Sequence, residues 1–216
     1  YAGKILGTDN ELNGFSFNGV GSGTTLEYLQ AYRGSDDGFE FFGGTANLSY
    51  ALSTGNEDDS FDWTHGWRGN GSYWYVQQDV NVGDRGIEAD NNGDDNTAVP
   101  YSNPAIANLT IVGRGSSAAK DAIKLREGTK GSLSNVLISG AKDGIDVEHA
   151  QTVANVAGDA LTFSNISFGS DVSKEYAIAG GSASDSTAAA TKIQSAITTT
   201  ATGAGTSWQD GWTKGL

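Results

Sequence analysis

One short phrase returns along this chain, and its spacing leaves few folds open. A polar residue and a small one precede an apolar–outward–apolar triplet, as in Asp37-Gly38-Phe39-Glu40-Phe41, Asp59-Ser60-Phe61-Asp62-Trp63 and Arg85-Gly86-Ile87-Glu88-Ala89. The phrase continues as Asp121-Ala122-Ile123-Lys124-Leu125 and Asp143-Gly144-Ile145-Asp146-Val147, with looser copies at Asn13–Phe17 and Asp159–Phe163. Asp37 to Asp59 and Asp121 to Asp143 are both steps of 22 residues. A period of that length marks coils stacked on one another, each burying its neighbour's apolar face. Successive side chains of a strand point to opposite sides, so Glu40, Asp62, Glu88 and Asp146 are expected on one outer face, as a ladder of carboxylates.

A second phrase keeps step with the first. Ile106-Ala107-Asn108-Leu109, Leu133-Ser134-Asn135-Val136 and Phe163-Ser164-Asn165-Ile166 share the form apolar–x–Asn–apolar, and cruder versions surround Tyr28, Tyr50 and Tyr73–Val76. Asn is the non-glycine residue that best takes a left-handed conformation and turns the chain between short strands. Stacked Asn side chains can hydrogen-bond from coil to coil. Together the two phrases describe a coil of about three short strands.

The 22-residue coil with its Asn turn resembles the right-handed parallel β-helix of the pectate-lyase-like type. The stretches Gly34–Gly44, Asp58–Trp63 with Gly66-Trp67-Arg68-Gly69, and Gly83–Asn91 resemble secreted or lipid-anchored β-helix proteins of marine and related Gram-negative bacteria. That likeness is tight over residues 1–115 and rests on the repeat pattern beyond. It implies an all-β solenoid and an extracellular or cell-surface address, and it brings no activity with it. In polysaccharide lyases of this fold, calcium neutralises a uronate while a basic residue abstracts a proton; here that role would fall to His65, Arg68 or Arg85. The chain lacks the Arg–Pro–Arg and Trp–x–Asp–His signatures of pectate lyases and the Asn–Thr–Asp arrangement of polygalacturonases.

The 216 residues suffice for one domain with a continuous core. Thirty-one Gly against two Pro suit a fold with many tight corners. A net charge of −13 argues against nucleic acid and anionic membrane surfaces as partners. It suits a secreted protein in saline or calcium-containing medium. No Cys is present for disulfides or thiolate metal sites, and no apolar run is long enough for a membrane span. The chain opens at Tyr1-Ala2-Gly3 without Met. It reads as a piece of a longer precursor, with at least one more coil upstream.

Residues 1–168 read as coils with a polar insertion near 90–103. Residues 169–216 read as a capping helix and tail, the helix N-capped by Ser184 and burying Ala189, Ile193, Ala196 and Ile197. An open solenoid end invites end-to-end association, so a subunit of an extracellular fibre is one reading of the whole.

The acidic face is the leading candidate for chemistry. Carboxylates stacked about 4.8 Å apart repel by about 3 kcal/mol per pair at an effective dielectric of 20. Raised pKa values, basic neighbours such as Arg33, Arg68, Arg85 and Lys142, or bound cations must relieve this. Calcium, which takes six to eight oxygens, would draw them from Asp36, Asp37, Glu40, Asp58, Asp59, Asp62, Glu88 and Asp90. The alternative is a solvated face with interspersed Arg, the corner Asp residues serving the turns. Asp62, Trp67, Arg68 and Trp74 form a candidate polysaccharide-binding set, with indoles as platforms for sugar rings. Trp63 is assigned to the core. Three function classes stay open: a module binding polysaccharide or a cell-surface partner, a structural subunit, and a polysaccharide lyase or hydrolase.

Overall fold

The computed structural model describes residues 12–215; the opening Tyr1-Ala2-Gly3 and any coil upstream lie outside the described residues. Among the described residues, thirteen strands alternate between two parallel sheets. The first is formed by β1 (Phe15–Asn18), β3 (Phe39–Phe42), β5 (Phe61–Thr64), β7 (Ile87–Ala89), β9 (Ile123–Leu125), β11 (Asp143–Val147) and β13 (Lys174–Ile178), each paired with the next. The second holds β2 (Glu27–Tyr32), β4 (Leu48–Thr54), β6 (Asn70–Gln77), β8 (Ala105–Val112), β10 (Gly131–Ser139) and β12 (Leu161–Phe168) in the same manner. Each coil therefore contributes one straight strand and one bent strand. The bend lies at one position, Tyr28, Tyr50, Tyr73, Asn108, Asn135 and Asn165, where φ is 52–57° in every coil. This is the expected three-segment coil, its second and third segments merged across a left-handed residue.

Register carries the two phrases into columns. Phe39 lies over Phe61 and Glu40 over Asp62, then Asp62 over Glu88 and Glu88 over Lys124. The small residue before each straight strand is needed for close approach: a Cβ on Gly38 would sit 2.6 Å from the Ser60 carbonyl oxygen. Inward residues of the first sheet run from aromatic to aliphatic. Phe15, Phe39 and Phe61 stack at centroid separations of 4.9 and 5.0 Å, and Ile87, Ile123 and Ile145 continue their column. Offset ring stacking adds to the burial of these large side chains.

Trp67 and Trp74, expected at a ligand-facing surface, are both 0 % exposed. Trp74 follows the left-handed Tyr73 and falls in the inward column between Ala51 and Leu109. Its ring stacks on Phe61 at 4.1 Å, and its Nε1 donates to the Leu48 carbonyl at 3.0 Å. Trp67 stacks on Phe41 at 4.0 Å, and its Nε1 donates to the Ala46 carbonyl. Small neighbours leave the volume the Trp74 indole fills: Ala51 is next to it in the column, and a Cβ on Gly71 would lie 2.5 Å from its ring. Trp63 is buried as assigned, its Nε1 donating to Thr129 Oγ1.

The coils extend past the expected boundary at 168, because β13 adds a seventh strand to the first sheet. A short helix, α1 (Ala150–Ala157), replaces the simple corner before β12, and its buried Thr152 accepts from the Gly128 N–H. The capping helix α2 (Ala183–Ala196) packs on α1, β12 and β13. Its N-cap is Ser182 rather than Ser184: the Ser182 hydroxyl accepts from the Asp185 N–H at 3.1 Å. Ala189, Ile193 and Ala196 are its buried residues, as the spacing required, whereas Ile197 follows the helix and bridges to Ile166. The insertion after β7 forms a loop tied down by Asn91, whose Oδ1 accepts from the Ser102 N–H and whose Nδ2 donates to the Asn96 and Ala98 carbonyls.

Candidate cation site on the seven-stranded sheet

Three outward columns meet at the start of the straight strands. Asp36, Asp58 and Asp84 form one, Asp37 and Asp59 a second, and Glu40, Asp62 and Glu88 a third. Four overlapping triads result: Asp36–Asp37–Asp58, Asp37–Glu40–Asp62, Asp58–Asp59–Asp84 and Asp59–Asp62–Glu88, each with oxygens within 4.8 Å of one another. The corner Asp residues also build the turns, as their position suggested. Asp37 Oδ1 accepts from the Asp59 N–H at 2.9 Å, and Asp59 Oδ1 from the Arg85 N–H at 2.5 Å.

Compensation is uneven. On the third rung, Arg85 reaches Asp84 at 2.8 Å and Glu88 at 2.9 Å. Arg126 contacts the other Glu88 oxygen and forks over both oxygens of Asp90, while Lys120 lies 2.6 Å from Asp84. Asp90 is therefore held in an ion pair and does not join the triads. Glu88, also expected as a ligand, has both oxygens engaged. On the first two rungs, among the described residues, Glu40 receives only the Asn13 amide, and Asp62 Oδ1 is sealed from solvent with no hydrogen-bond partner. Burial, then the charge of Asp59, pushes Asp37 up to about 9. Burial raises Glu40 to about 7 against the opposing Asn13 bond. Asp59 and Asp62 are held well above the usual carboxylate range, by burial first and by neighbouring carboxylates second.

Asp146 shares the face but not the ladder, since Lys124 intervenes and binds Asp146 at 2.5 Å and Glu148 at 2.8 Å. Of the basic neighbours expected, only Arg85 serves the array. Arg33 pairs with Asp79 at 3.9 Å, Lys142 with Asp143 at 3.3 Å, and Arg68 is exposed. Asp84, Lys120, Lys124 and Arg126 emerge from the structure. Carrying the 36/58 column forward by one phrase would have reached Asp84 and Lys120.

His65, Arg68 and Arg85 are not brought together. Asp59 aligns with Arg85 and His65 with Asn91, so the basic candidates lie at opposite ends of a face about 20 Å long. His65 is an exposed corner residue with its ring 6.2 Å from Phe42. His149 accepts the Glu127 N–H at Nδ1, a structural duty.

A family model described as pectate-lyase like beta helix domain matches residues 1–215. The chain belongs to that family. No curated protein and no solved structure matches this β-helix domain significantly. Family membership agrees with the sheets and sets the acidic columns on the outside of a parallel β-helix. Beside them opens a cleft of about 610 Å³, lined by Asp36, Glu57, Asp58, Asp84, Arg114 and Lys120 among others. The cleft is mainly acidic; of its two cations, Lys120 is paired with Asp84, and Arg114 donates to the Gly83 and Asn81 carbonyls.

Proposed function

We propose that this β-helix domain is an extracellular binding module whose acidic face holds calcium, and that the bound ion helps to recognise an acidic polysaccharide or cell-surface partner. The observation carrying the reading is Asp62 Oδ1, buried without a partner amid the carboxylates of Asp37, Asp59 and Glu40. An uncompensated buried oxygen in such a field is costly. A hard divalent cation with oxygen preference would satisfy several of these atoms at once. Asp36, Asp37, Glu40, Asp58, Asp59 and Asp62 are the residues that would hold it. Burial of Trp67 and Trp74 removes the aromatic sugar platform, which leaves ionic recognition as the better-supported mode. An ion held on the array would supply, beside this mainly acidic cleft, the positive charge that an anionic ligand needs. Binding is favoured over catalysis because Arg85, the basic candidate beside the array, is held in ion pairs with Asp84 and Glu88, while His65 and Arg68 are exposed residues away from it. The helix α2 across the last coil argues against end-to-end stacking through that end.

Equilibrium dialysis with calcium, paired with thermal unfolding in calcium and in chelator, tests the ion. Saturable binding and a raised midpoint are expected, and both should vanish in Asp62→Asn. An unchanged midpoint with no saturable binding would remove the metal reading. A panel of neutral and acidic glycans, screened in calcium and in chelator, tests the ligand class. Calcium-dependent retention on uronate-rich glycans is expected, and retention on neutral glycans alone would overturn it.

A further inference from the structure

The longest-range contacts in the molecule belong to its tail. After α2, residues 197–215 turn back and run down the column of left-handed residues toward the first coils. Thr198 Oγ1 and Thr200 Oγ1 donate to Asn165 Oδ1 at 2.7 and 3.0 Å. One coil lower, the Thr202 N–H donates to Asn135 Oδ1, and Asn135 Nδ2 donates to the Gly203 carbonyl. One coil lower again, the Ala204 N–H donates to Thr110 Oγ1 at 2.9 Å. Gly203, at φ 61°, passes so close that a Cβ would lie 2.2 Å from Thr110 Oγ1.

Beyond that point the contacts become aromatic. Trp208 lies 5.6 Å from Tyr50, and Trp212 meets Tyr28 edge-on at 5.8 Å. Each indole N–H is tied within the tail, Trp208 to the Ala204 carbonyl and Trp212 to the Trp208 carbonyl. The end is fastened by a reciprocal pair: Gln30 Nε2 donates to the Lys214 carbonyl at 2.7 Å, and the Lys214 N–H donates to Gln30 Oε1 at 2.9 Å.

The column beneath the tail changes character along its length. In the last three coils it is Asn, which tolerates the left-handed region and builds its own amide ladder: Asn135 donates to Asn108 at 2.7 Å, and Asn165 to Asn135 at 3.2 Å. In the first three coils it is Tyr, for which the same backbone is strained. Those rings offset the strain by stacking, Tyr28 on Tyr50 at 4.6 Å and Tyr50 on Tyr73 at 5.0 Å, and the tail's two indoles dock on this same stack.

We infer that residues 197–215 are a clasp. The tail ties the capped end of the solenoid to its first coils, which depend on it for order because their turn column is strained Tyr rather than Asn. In a stacked repeat, each coil is otherwise stabilised only by its neighbours. A segment that spans the stack makes the first coils respond to events at the far end. Release of the tail would loosen the segments around β2 and β4 first, while the Asn-laddered coils keep their order.

Hydrogen exchange by mass spectrometry on the full chain reads this directly. The double substitution Trp208→Ala/Trp212→Ala should reduce protection of amides in Glu27–Tyr32 and Leu48–Thr54 at least tenfold. Amides of β10 and β12 should change by less than twofold. Gln30→Ala, which unties only the tail's end, should give the same pattern more weakly and serves if the double variant does not fold. Adding Tyr28→Asn, Tyr50→Asn and Tyr73→Asn together to the tail variant should recover most of the lost protection, because the whole strained column is then replaced by the residue suited to the turn. Loss confined to 198–215, loss spread equally over all coils, or failure of the Asn replacement to recover protection would each overturn the clasp.

Discussion

The coils through β1–β7 and those through β8–β13 share one backbone and register, yet they solve the same two problems with different partners. On the straight sheet, Glu40, Asp62 and Glu88 stack in the first group, and Lys124 sits between Glu88 and Asp146 in the second. At the bend, the first group uses Tyr and the second Asn. The core follows, with Phe and Trp giving way to Ile, Leu and Val. The later coils supply partners of their own: Lys124 neutralises its carboxylates, and Asn108, Asn135 and Asn165 bond to one another as well as to the tail. The earlier coils leave charge and strain that something outside the coil must offset, by cation or by tail. Stacking geometry alone therefore does not settle stability; what stands above each side chain does.

The largest expected effect comes from making the second group resemble the first. Lys124→Glu would set a fourth carboxylate above Glu88 and strip Asp146 and Glu148 of their shared cation. Breaking a largely buried pair in this way costs about 3 kcal/mol, which at this chain length corresponds to a fall of about 6–12 °C in midpoint. Calorimetry in chelator should show the fall, and millimolar calcium should restore part of it. An equal fall with and without calcium would mean that an acidic rung by itself does not recruit an ion, and the contrast between the halves would have to be explained otherwise.

Calcium itself comes next. A ligand held at a hundred times its dissociation constant stabilises the native state by about 2.7 kcal/mol, and a difference of that order between calcium and chelator is expected for the native chain. In chelator, Asp62→Asn should be more stable than the native chain, since it removes one unpaired carboxylate from the field of Asp37 and Asp59. A destabilised Asp62→Asn in chelator would show that the Asp62 charge is already compensated within the protein.

Glu40 and Asp37 in the first half and Glu148 in the second should respond to pH with opposite sign. Glu40 is raised to about 7 and Asp37 to about 9, so between roughly pH 4 and pH 9 the folded, ion-free protein binds more protons than the unfolded chain. Stability in chelator is then highest near pH 5 and declines as pH rises through 7 toward 9. Glu148 behaves conversely: the hydrogen bond from Lys124 holds it below its ordinary value, so its contribution is present above about pH 4.5 and lost on acidification. Unfolding midpoints across pH 4–9 in chelator should show the alkaline decline, and calcium should flatten it. A midpoint that rises from pH 5 to pH 8 in chelator would contradict the raised carboxylates.

Much of this was legible before any coordinates. The 22-residue steps, the outward Glu40–Asp62–Glu88 row and the Asn turn follow from period and alternation, which local sequence records faithfully. Three features were hidden for identifiable reasons. The fate of Trp74 depends on the left-handed residue before it, which resets alternation, so reading Tyr73–Val76 without aligning Tyr73 to Asn108 put the indole outside. Lys124 belongs to the repeat phrase itself, but its effect on Asp146 appears only when rungs are ordered in space. The tail's path joins residues 184 positions apart, such as Gln30 and Lys214, and no periodicity encodes that.

The Asn column offers a finer probe of the same contrast. Asn135→Ala removes the amide bonds to Asn108 and Asn165 and those to the tail at Thr202 and Gly203, and places Ala at φ 52°. Lost hydrogen bonds cost about 1 kcal/mol and left-handed strain about 1 kcal/mol more. Asn135→Gly loses the bonds but relieves the strain, so urea denaturation should place Gly about 1 kcal/mol above Ala. Equal stability of the two variants would mean that conformation is not what Asn supplies here, and the parallel drawn with Tyr50 would weaken.

The smallest expected effect decides whether contact or overall charge governs the acidic half. Arg33→Gln changes the net charge from −13 to −14, while touching the exposed pair with Asp79 at 3.9 Å and a guanidinium 5.6 Å from the Tyr32 ring, both away from the array. Arg85→Gln changes it equally, but removes the group bound to both Asp84 and Glu88. If long-range self-repulsion of an acidic protein set the stability of these coils, the two substitutions would cost alike, and both costs would shrink in 0.5 M salt. If the rungs are governed by groups in contact, Arg33→Gln should leave the midpoint unchanged to within a degree, as exposed ion pairs generally do. Arg85→Gln should lower the midpoint in chelator and recover in calcium, because an ion can take the position that the guanidinium vacates.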